Sequence, residues 1–129
     1  MFKGINHVTI VVKDKTEAEK FYFDLLGLER LNVGKSLWAR IGKQYIHINE
    51  DPNLEKIKTF RHFSIEVEGL KPYLTSLINK GVDIFDLNEH LEKIDINSNL
   101  DKEIRNYFTE DPSGNIVEFF DTSNMFYQQ

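Results

Sequence analysis

The chain has 129 residues, of which 40 % are apolar, and a formal net charge of −5 at pH 7. This length suits one compact domain, and the acidic balance disfavours a nucleic-acid binder, which needs a basic face. No stretch approaches the roughly 20 consecutive apolar residues of a membrane-spanning helix, so no membrane partner is expected. Because cysteine is absent, disulfides and thiolate metal sites are excluded, and a cytoplasmic location is expected.

The first half of the chain predicts one βαβββ module. A β-branched strand at 5–12 precedes a helix with apolar residues at helical spacing, with Asp14 or Thr16 as its N-cap and Gly27 after its end. Residues 50–60 are polar and indicate a linker. Between helix and linker, glycine turns separate three predicted strands, at 28–33, 37–41 and 44–49.

The second half repeats this order, which indicates a second βαβββ module. Residues 86–103 have no counterpart in the first module and are predicted to form a lid, with a short helix at 87–94. The chain is thus predicted to be one domain over 1–129, with module one at about 1–50 and module two at about 61–121. The predicted elements of module two are a strand at 61–68, a helix at 70–80 closed by Gly81, and strands at 82–85, 104–109 and 115–120.

Strand alternation separates two faces in each module. One face is apolar and should pack on a helix, with Val8, Ile10, Val12, Phe63, Ile65 and Val67 among its members. The opposite face carries His7, His47, His62 and Glu118. In the repeat His7 matches His62, and His47 matches Glu118. A pseudo-twofold relation between the modules would therefore point these four side chains at one spot.

Each of these residues also has an ordinary structural interpretation. A lone histidine in a strand is more often a core or surface residue than a ligand, and His90 lies in a charged stretch that indicates a solvated position. A carboxylate between Val117 and Phe119 is costly to bury without a partner, so Glu118 favours a bound cation. Together, three histidines and Glu118 at matched positions predict one divalent metal held by imidazole and carboxylate.

Four motifs carry a resemblance to a known family. They are Asn6-His7-Val8-Thr9-Ile10, then Phe21-Tyr22 before Leu26-Gly27-Leu28, then Arg61-His62-Phe63, and Asp111-Pro112-Ser113-Gly114-Asn115 before Val117-Glu118-Phe119. The chain is similar to the vicinal oxygen chelate superfamily, which includes glyoxalase I, fosfomycin-resistance proteins, extradiol dioxygenases and bleomycin-binding proteins. The resemblance implies an α+β fold in which two tandem βαβββ modules form a curved, barrel-like mixed sheet around a central metal cavity.

The resemblance also implies the metal ligands. His7, His62 and Glu118 fall on the family's ligand positions, and His47 falls where glyoxalase I carries a glutamate, which makes it a fourth ligand or a neighbour of the site. Such a site takes one divalent ion, for which Zn²⁺, Ni²⁺, Co²⁺, Fe²⁺ and Mn²⁺ all remain open. The metal would act as a Lewis acid on two neighbouring oxygens of a small-molecule substrate.

The function implied is a metal-dependent lyase or isomerase that acts on a small oxygenated metabolite or a thiol conjugate. A ligand-sequestering resistance protein and a fosfomycin-type thiol transferase are the alternatives. The basic and hydroxylated residues expected to hold a phosphonate are not evident at 97–102. Relatives of this length commonly form dimers, so a homodimer with sites shared between both chains is expected. The catalytic candidates are Glu118, Glu66 and Tyr45, and the pocket-lining candidates are Thr9, Ser64, Tyr107 and Phe120.

Overall fold

The structure is a computed structural model that describes residues 1–97, 100 and 106–123. The helices are α1 (Lys15–Glu19), a π-helical stretch that continues it (Lys20–Leu25), and α2 (Leu70–Asn79). None of the helices in this part of the chain is long and apolar enough to cross a membrane. The strands are β1 (His7–Val12), β2 (Glu29–Val33), β3 (Ser36–Ile41), β4 (Gln44–Glu50), β5 (His62–Val67), β6 (Phe85–Leu87), β7 (Lys93–Asp95), β8 (Tyr107–Glu110) and β9 (Ile116–Asp121).

The chain divides into two compact units. Unit 1 comprises Met1–Ile57 and Asp111–Asn115, and unit 2 comprises Lys58–Glu110 and Ile116–Gln129. The first boundary lies inside the predicted linker 50–60, where the structure has turns but no helix and no strand after Glu50. That the two units make one domain stays a prediction.

Unit 1 contains a four-stranded sheet in the order β1-β4-β3-β2. β1 runs parallel to β4, and the other pairs are antiparallel. Alternation along β1 is as predicted, because Ile10 and Val12 are buried whereas His7, Thr9 and Val11 are exposed. The buried residues of this sheet and of the adjoining helical segment form one apolar set: Ile10, Val12, Ala18, Phe21, Tyr22, Leu26, Leu37, Ala39, Ile46 and Ile48.

The first helical segment begins where the sequence places its cap. The Asp14 carboxylate accepts hydrogen bonds from the N–H groups of Thr16 and Glu17, which decides between the two predicted N-caps. After one α-helical turn the segment widens, so that Leu26 N–H donates to Phe21 C=O, five residues back. The chain then reverses at Gly27, whose φ of +79° is accessible to glycine at little cost.

The Asp111 carboxylate organises a hydrogen-bonded turn that belongs to unit 1. It is 2 % exposed and accepts from the Tyr22 hydroxyl at 2.7 Å, from the N–H groups of Ser113 and Asn115, and from Asn115 Nδ2. Burial, reinforced by the Asp111 charge and hydrogen bond, raises the pKa of Tyr22 well above its usual value. Asn115 Nδ2 also donates to Val11 C=O at 2.8 Å. The turn is therefore fastened to the end of β1.

Unit 2 repeats the topology of unit 1 and adds a strand. Its sheet has the order β5-β9-β8-β6-β7, with β5 parallel to β9 and the other neighbours antiparallel. Helix α2 buries Leu70, Leu74 and Leu77, and Tyr73 packs edge-on against Phe119. The predicted α+β class and the repeated βαβββ order are confirmed. The barrel-like closure is not, because strand pairing among the described residues gives two open sheets, of four and five strands.

Segment 82–97 differs from its prediction. The predicted strand 82–85 is displaced to β6, because Ile84 N–H donates to Asn97 Oδ1 rather than to a neighbouring strand. The predicted helix at 87–94 is wrong: residues 88–92 form a turn around the Asn88 side chain, and β7 then pairs with β6. The first part of the predicted lid is therefore a β-hairpin. Residues 98, 99 and 101–105, which include part of the predicted lid 86–103 and the start of the predicted strand 104–109, lie outside the described residues.

Candidate metal centre

Glu118 is a buried carboxylate in the middle of β9. It is 6 % exposed and pairs in register with Ser64 on β5 and with Phe108 on β8. Cross-strand partners share a face of a sheet, so Glu118, Ser64 and Phe108 lie on one face, which also carries His62. The Ser64 hydroxyl donates a hydrogen bond to Glu118 Oε1. The Glu118 carboxylate thus lies between Ser64, whose hydroxyl donates a hydrogen bond to it, and the apolar side chain of Phe108.

The imidazole of His62 is held in one tautomer by its surroundings. Its Nδ1 lies 2.6 Å from Phe60 C=O, which can only accept, so Nδ1 carries the proton. The rings of Phe60 and Phe108 contact the imidazole edge-on, at centroid distances of 4.9 Å and 5.2 Å. In the neutral ring the remaining nitrogen, Nε2, presents a lone pair. Histidines that bind metals are commonly oriented in this way through their other ring nitrogen.

His62 Nε2 and Glu118 Oε1 face each other at 3.5 Å. Two atoms that each lie about 2.1 Å from one tetrahedral metal are about 3.4 Å apart, so this pair is spaced as two ligands of one ion. When Nε2 carries a lone pair, it and the buried carboxylate oxygen can together stabilise a cation between or beside them. The donor set and spacing of this pair fit a divalent metal.

Unit 1 carries a second group of histidines. His7 Nδ1 donates to Asn6 Oδ1 at 2.8 Å, which leaves its Nε2 available. The His47 ring stacks on Trp38 at a centroid distance of 4.2 Å and an interplanar angle of 7°. His7 contacts the same indole edge-on at 5.2 Å, and the two imidazole centroids are 6.4 Å apart. Both histidines therefore lie on the face of the sheet opposite the buried core.

Four further candidates lie on the predicted faces. Tyr45 pairs in register with His7, and Thr9 with His47, so both lie on the histidine face of unit 1. Glu66 is exposed two residues beyond Ser64 on β5 and pairs with Phe120 on β9. Phe120 consequently shares the Glu118 face of unit 2.

Tyr107 lies on the other face. It pairs with Phe119, which packs against α2, so its side chain is separated by the sheet from Glu118. Phe108 takes the place expected of Tyr107, since it pairs with Glu118 and contacts His62. The register in which β8 pairs with β9 across the 111–115 turn therefore determines whether Tyr107 or Phe108 lies beside Glu118.

The predicted ligands form two groups, His7 with His47 in unit 1 and His62 with Glu118 in unit 2. Within the residues that the structure describes, no group of three or more histidine, aspartate or glutamate side chains is arranged to hold a metal. His90 is exposed in the β6–β7 turn beside Glu89, in agreement with its interpretation as a solvated residue. Sequence reasoning missed Asn6, Trp38, Phe60 and Phe108, which orient or pack the histidines.

Comparison with known proteins gives the family. Residues 4–119 match the family model of the Glyoxalase/Bleomycin resistance protein/Dioxygenase superfamily. The chain is 27 % identical over 124 residues to the metallothiol transferase FosB of Shouchella clausii (strain KSM-K16). The aligned region covers 92 % of this chain and 80 % of that protein. These matches span most of the chain.

Solved structures show the same fold. A glyoxalase family protein of Bacillus anthracis superposes with a TM-score of 0.72 at 24 % identity, covering 94 % of this chain and 96 % of the other. The fosfomycin resistance protein FosX of Listeria monocytogenes gives a TM-score of 0.69 at 18 % identity, covering 98 % and 99 % of the two chains. The chain belongs to the Glyoxalase/Bleomycin resistance protein/Dioxygenase superfamily.

Proposed function

We propose that this chain is a metal-dependent enzyme in which His7, His62 and Glu118 hold one divalent ion, with His47 as a fourth ligand or an adjacent residue. The observation that carries the proposal is the facing pair of His62 Nε2 and Glu118 Oε1 at 3.5 Å. His7, with its Nδ1 occupied by Asn6, has the matching free nitrogen. Family membership supports this set, because the proposed ligands lie within the matched residues 4–119.

The donor set suits a borderline metal. Imidazole nitrogens with one carboxylate bind Zn²⁺, Ni²⁺, Co²⁺, Fe²⁺ or Mn²⁺, and the sequence offers no thiolate that would narrow the choice. When bound, the metal would supply Lewis-acid polarisation of two neighbouring substrate oxygens.

The reaction class proposed is a lyase, isomerase or thiol transferase that acts on a small oxygenated molecule. The name of the Shouchella clausii relative, a metallothiol transferase, favours the transferase among these. In such a transfer the thiol sulfur bonds to an electrophilic carbon, the carbon–oxygen bond breaks, and the thiol proton ends on the released oxygen. Tyr45 and Glu66 are the candidates for moving that proton, and Thr9 and Phe120 are candidates for contacting the substrate.

The substrate is proposed to carry little negative charge. Lys93 is a cation on the Glu118 face of unit 2, but its Nζ lies 2.9 Å from Glu110 and is already paired. A phosphonate such as fosfomycin would have to displace Glu110 or find its cation elsewhere. A neutral epoxide or α-ketoaldehyde hemithioacetal avoids that cost.

The assembly proposed is a homodimer with two shared sites. Each site would combine His7 and His47 of one chain with His62 and Glu118 of the other. No nucleic-acid partner is proposed, and the cytoplasmic location stays a prediction.

Elemental analysis and a substrate panel test this function together. Purified wild-type protein should contain about one metal per chain, and His7→Ala should lose it. The metal-loaded protein should then either join a thiol to a neutral epoxide or isomerise an α-ketoaldehyde hemithioacetal, and it should turn over fosfomycin more slowly than the neutral epoxide. A metal-free wild type that binds a hydrophobic ligand without turnover would indicate a sequestering protein and overturn the enzyme proposal.

A further inference from the structure

Ser64 is placed to orient the carboxylate of Glu118. The two residues are direct cross-strand partners on β5 and β9, and the Ser64 hydroxyl donates to Glu118 Oε1. The serine hydroxyl is thus already engaged with a protein carboxylate. This differs from the pocket-lining role predicted for Ser64.

A glutamate side chain needs such a partner if its carboxylate is to present one chosen oxygen. Rotation about the terminal sp³–sp² bond of glutamate is broad and has no sharp preferred angle. Glu118 lies beside apolar Phe108, which restricts its position but offers no hydrogen bond to fix the plane of the carboxylate. A directed O–H donor supplies that restriction.

The oxygen that Ser64 holds is the same oxygen that faces His62. Glu118 Oε1 accepts from the Ser64 hydroxyl and lies 3.5 Å from His62 Nε2. A carboxylate oxygen has two lone pairs, so it can accept one hydrogen bond and still bind a metal. A hydrogen bond to this oxygen therefore sets the direction of its second lone pair.

We infer that Ser64 is a positioning residue that presents Glu118 Oε1 to the metal beside His62 Nε2. The inference rests on the proposed metal site and adds a residue to it. Loss of a partner that orients a ligand commonly costs 10–100-fold in metal affinity. The predicted result is a Co²⁺ Kd that is about 10–100-fold weaker without the hydroxyl.

A matched pair of variants isolates the hydroxyl. Ser64→Thr keeps the O–H, whereas Ser64→Val has nearly the same shape without it, and both side chains are favoured in strands. Co²⁺ titration of the folded protein, followed by visible absorption, should give a Kd for Ser64→Thr within about 3-fold of wild type. Ser64→Val should bind about 10–100-fold more weakly and show a changed Co²⁺ spectrum.

Ser76→Ala is the control, because it removes a serine hydroxyl that donates to Tyr73 C=O within α2, away from this face. Its Kd should equal that of wild type. A Ser64→Val protein with a lowered melting temperature but an unchanged Kd and spectrum would overturn the inference while leaving the metal site standing. A wild type that binds no Co²⁺ would overturn the proposed function, and the inference with it.

Discussion

Chelation is expected to destabilise the wild-type protein and to leave Glu118→Ala almost untouched. A metal that binds only the folded state adds about 2.7 kcal/mol to the free energy of unfolding at a hundredfold excess over Kd. Removal of that metal should lower Tm by about 8–12 °C in a protein of this size. Glu118→Ala lacks the carboxylate beside His62, so its Tm should shift by less than about 2 °C on chelation. The measurement is thermal unfolding with and without a chelator.

The relevant quantity is the chelator-induced shift within each variant, since Glu118→Ala also changes the stability of the metal-free protein. Glu89→Ala is the matched control, because its carboxylate is exposed in the β6–β7 turn beside His90. It should keep the wild-type shift. Equal shifts in wild type and Glu118→Ala would show that the stabilising metal, if there is one, binds elsewhere.

Asp111→Ala is expected to cost about 3–4 kcal/mol of the free energy of unfolding. The substitution removes a buried acceptor of four hydrogen bonds and leaves the Tyr22 hydroxyl and the turn N–H groups without it. Each buried donor left unpaired costs about 1–3 kcal/mol, although these costs are not additive. Tm should fall by roughly 10–15 °C, as measured by thermal unfolding.

Two variants calibrate this effect. Asp14→Ala also removes a carboxylate that accepts from two N–H groups, but at an exposed helix cap, and should cost only about 1 kcal/mol. Tyr22→Phe removes a single bond to Asp111 and should fall between the two. Because the raised pKa of Tyr22 reflects a phenol kept neutral when folded, the wild type should lose stability above about pH 10, where the unfolded chain ionises. Tyr22→Phe should lose less stability than the wild type above that pH. If Asp111→Ala and Asp14→Ala cost the same free energy of unfolding, the buried network around Asp111 would be contradicted.

Much of the fold follows from periodicity in the sequence. Every second residue of β1 and β5 is a bulky apolar one, so their buried and exposed faces can be assigned from the order of residues alone. The repeat of this pattern indicates the two modules, and glycines such as Gly27 mark where helices end. The π-helical stretch was not predictable, because over six residues it places apolar side chains much as an α-helix does.

The β6–β7 hairpin shows where the sequence is uninformative. Both strands have only three residues, and all of β7 is exposed, so no alternation distinguishes them from a polar loop. The choice between Tyr107 and Phe108 depended on register, in which a slip of one residue exchanges the two faces. Only the observed pairing of Phe108 with Glu118 decides it.

The candidate ligands were proposed from the sequence residue by residue, whereas the contacts around them were not. Symmetry of the repeat pairs His7 with His62 and His47 with Glu118, and the family resemblance then implies the ligands, both without reference to neighbouring side chains. The hydrogen bond from His62 to Phe60 C=O and the stacking of His47 on Trp38 depend on three-dimensional contacts that no spacing encodes. The hydrogen bond determines that His62 can offer Nε2, and the stacking holds the ring plane of His47 parallel to the indole.

Metal content after mixing two variants that each lack one proposed ligand tests the shared site most directly. His7→Ala and Glu118→Ala, dissociated and reassembled together, should form mixed dimers that each hold one intact site and one doubly damaged site. With random pairing in a twofold dimer, about a quarter of the wild-type metal content should return. Each variant reassembled alone should stay metal-free. A mixture in which no metal returns, or a wild type that is a monomer in solution, would contradict a site built from two chains.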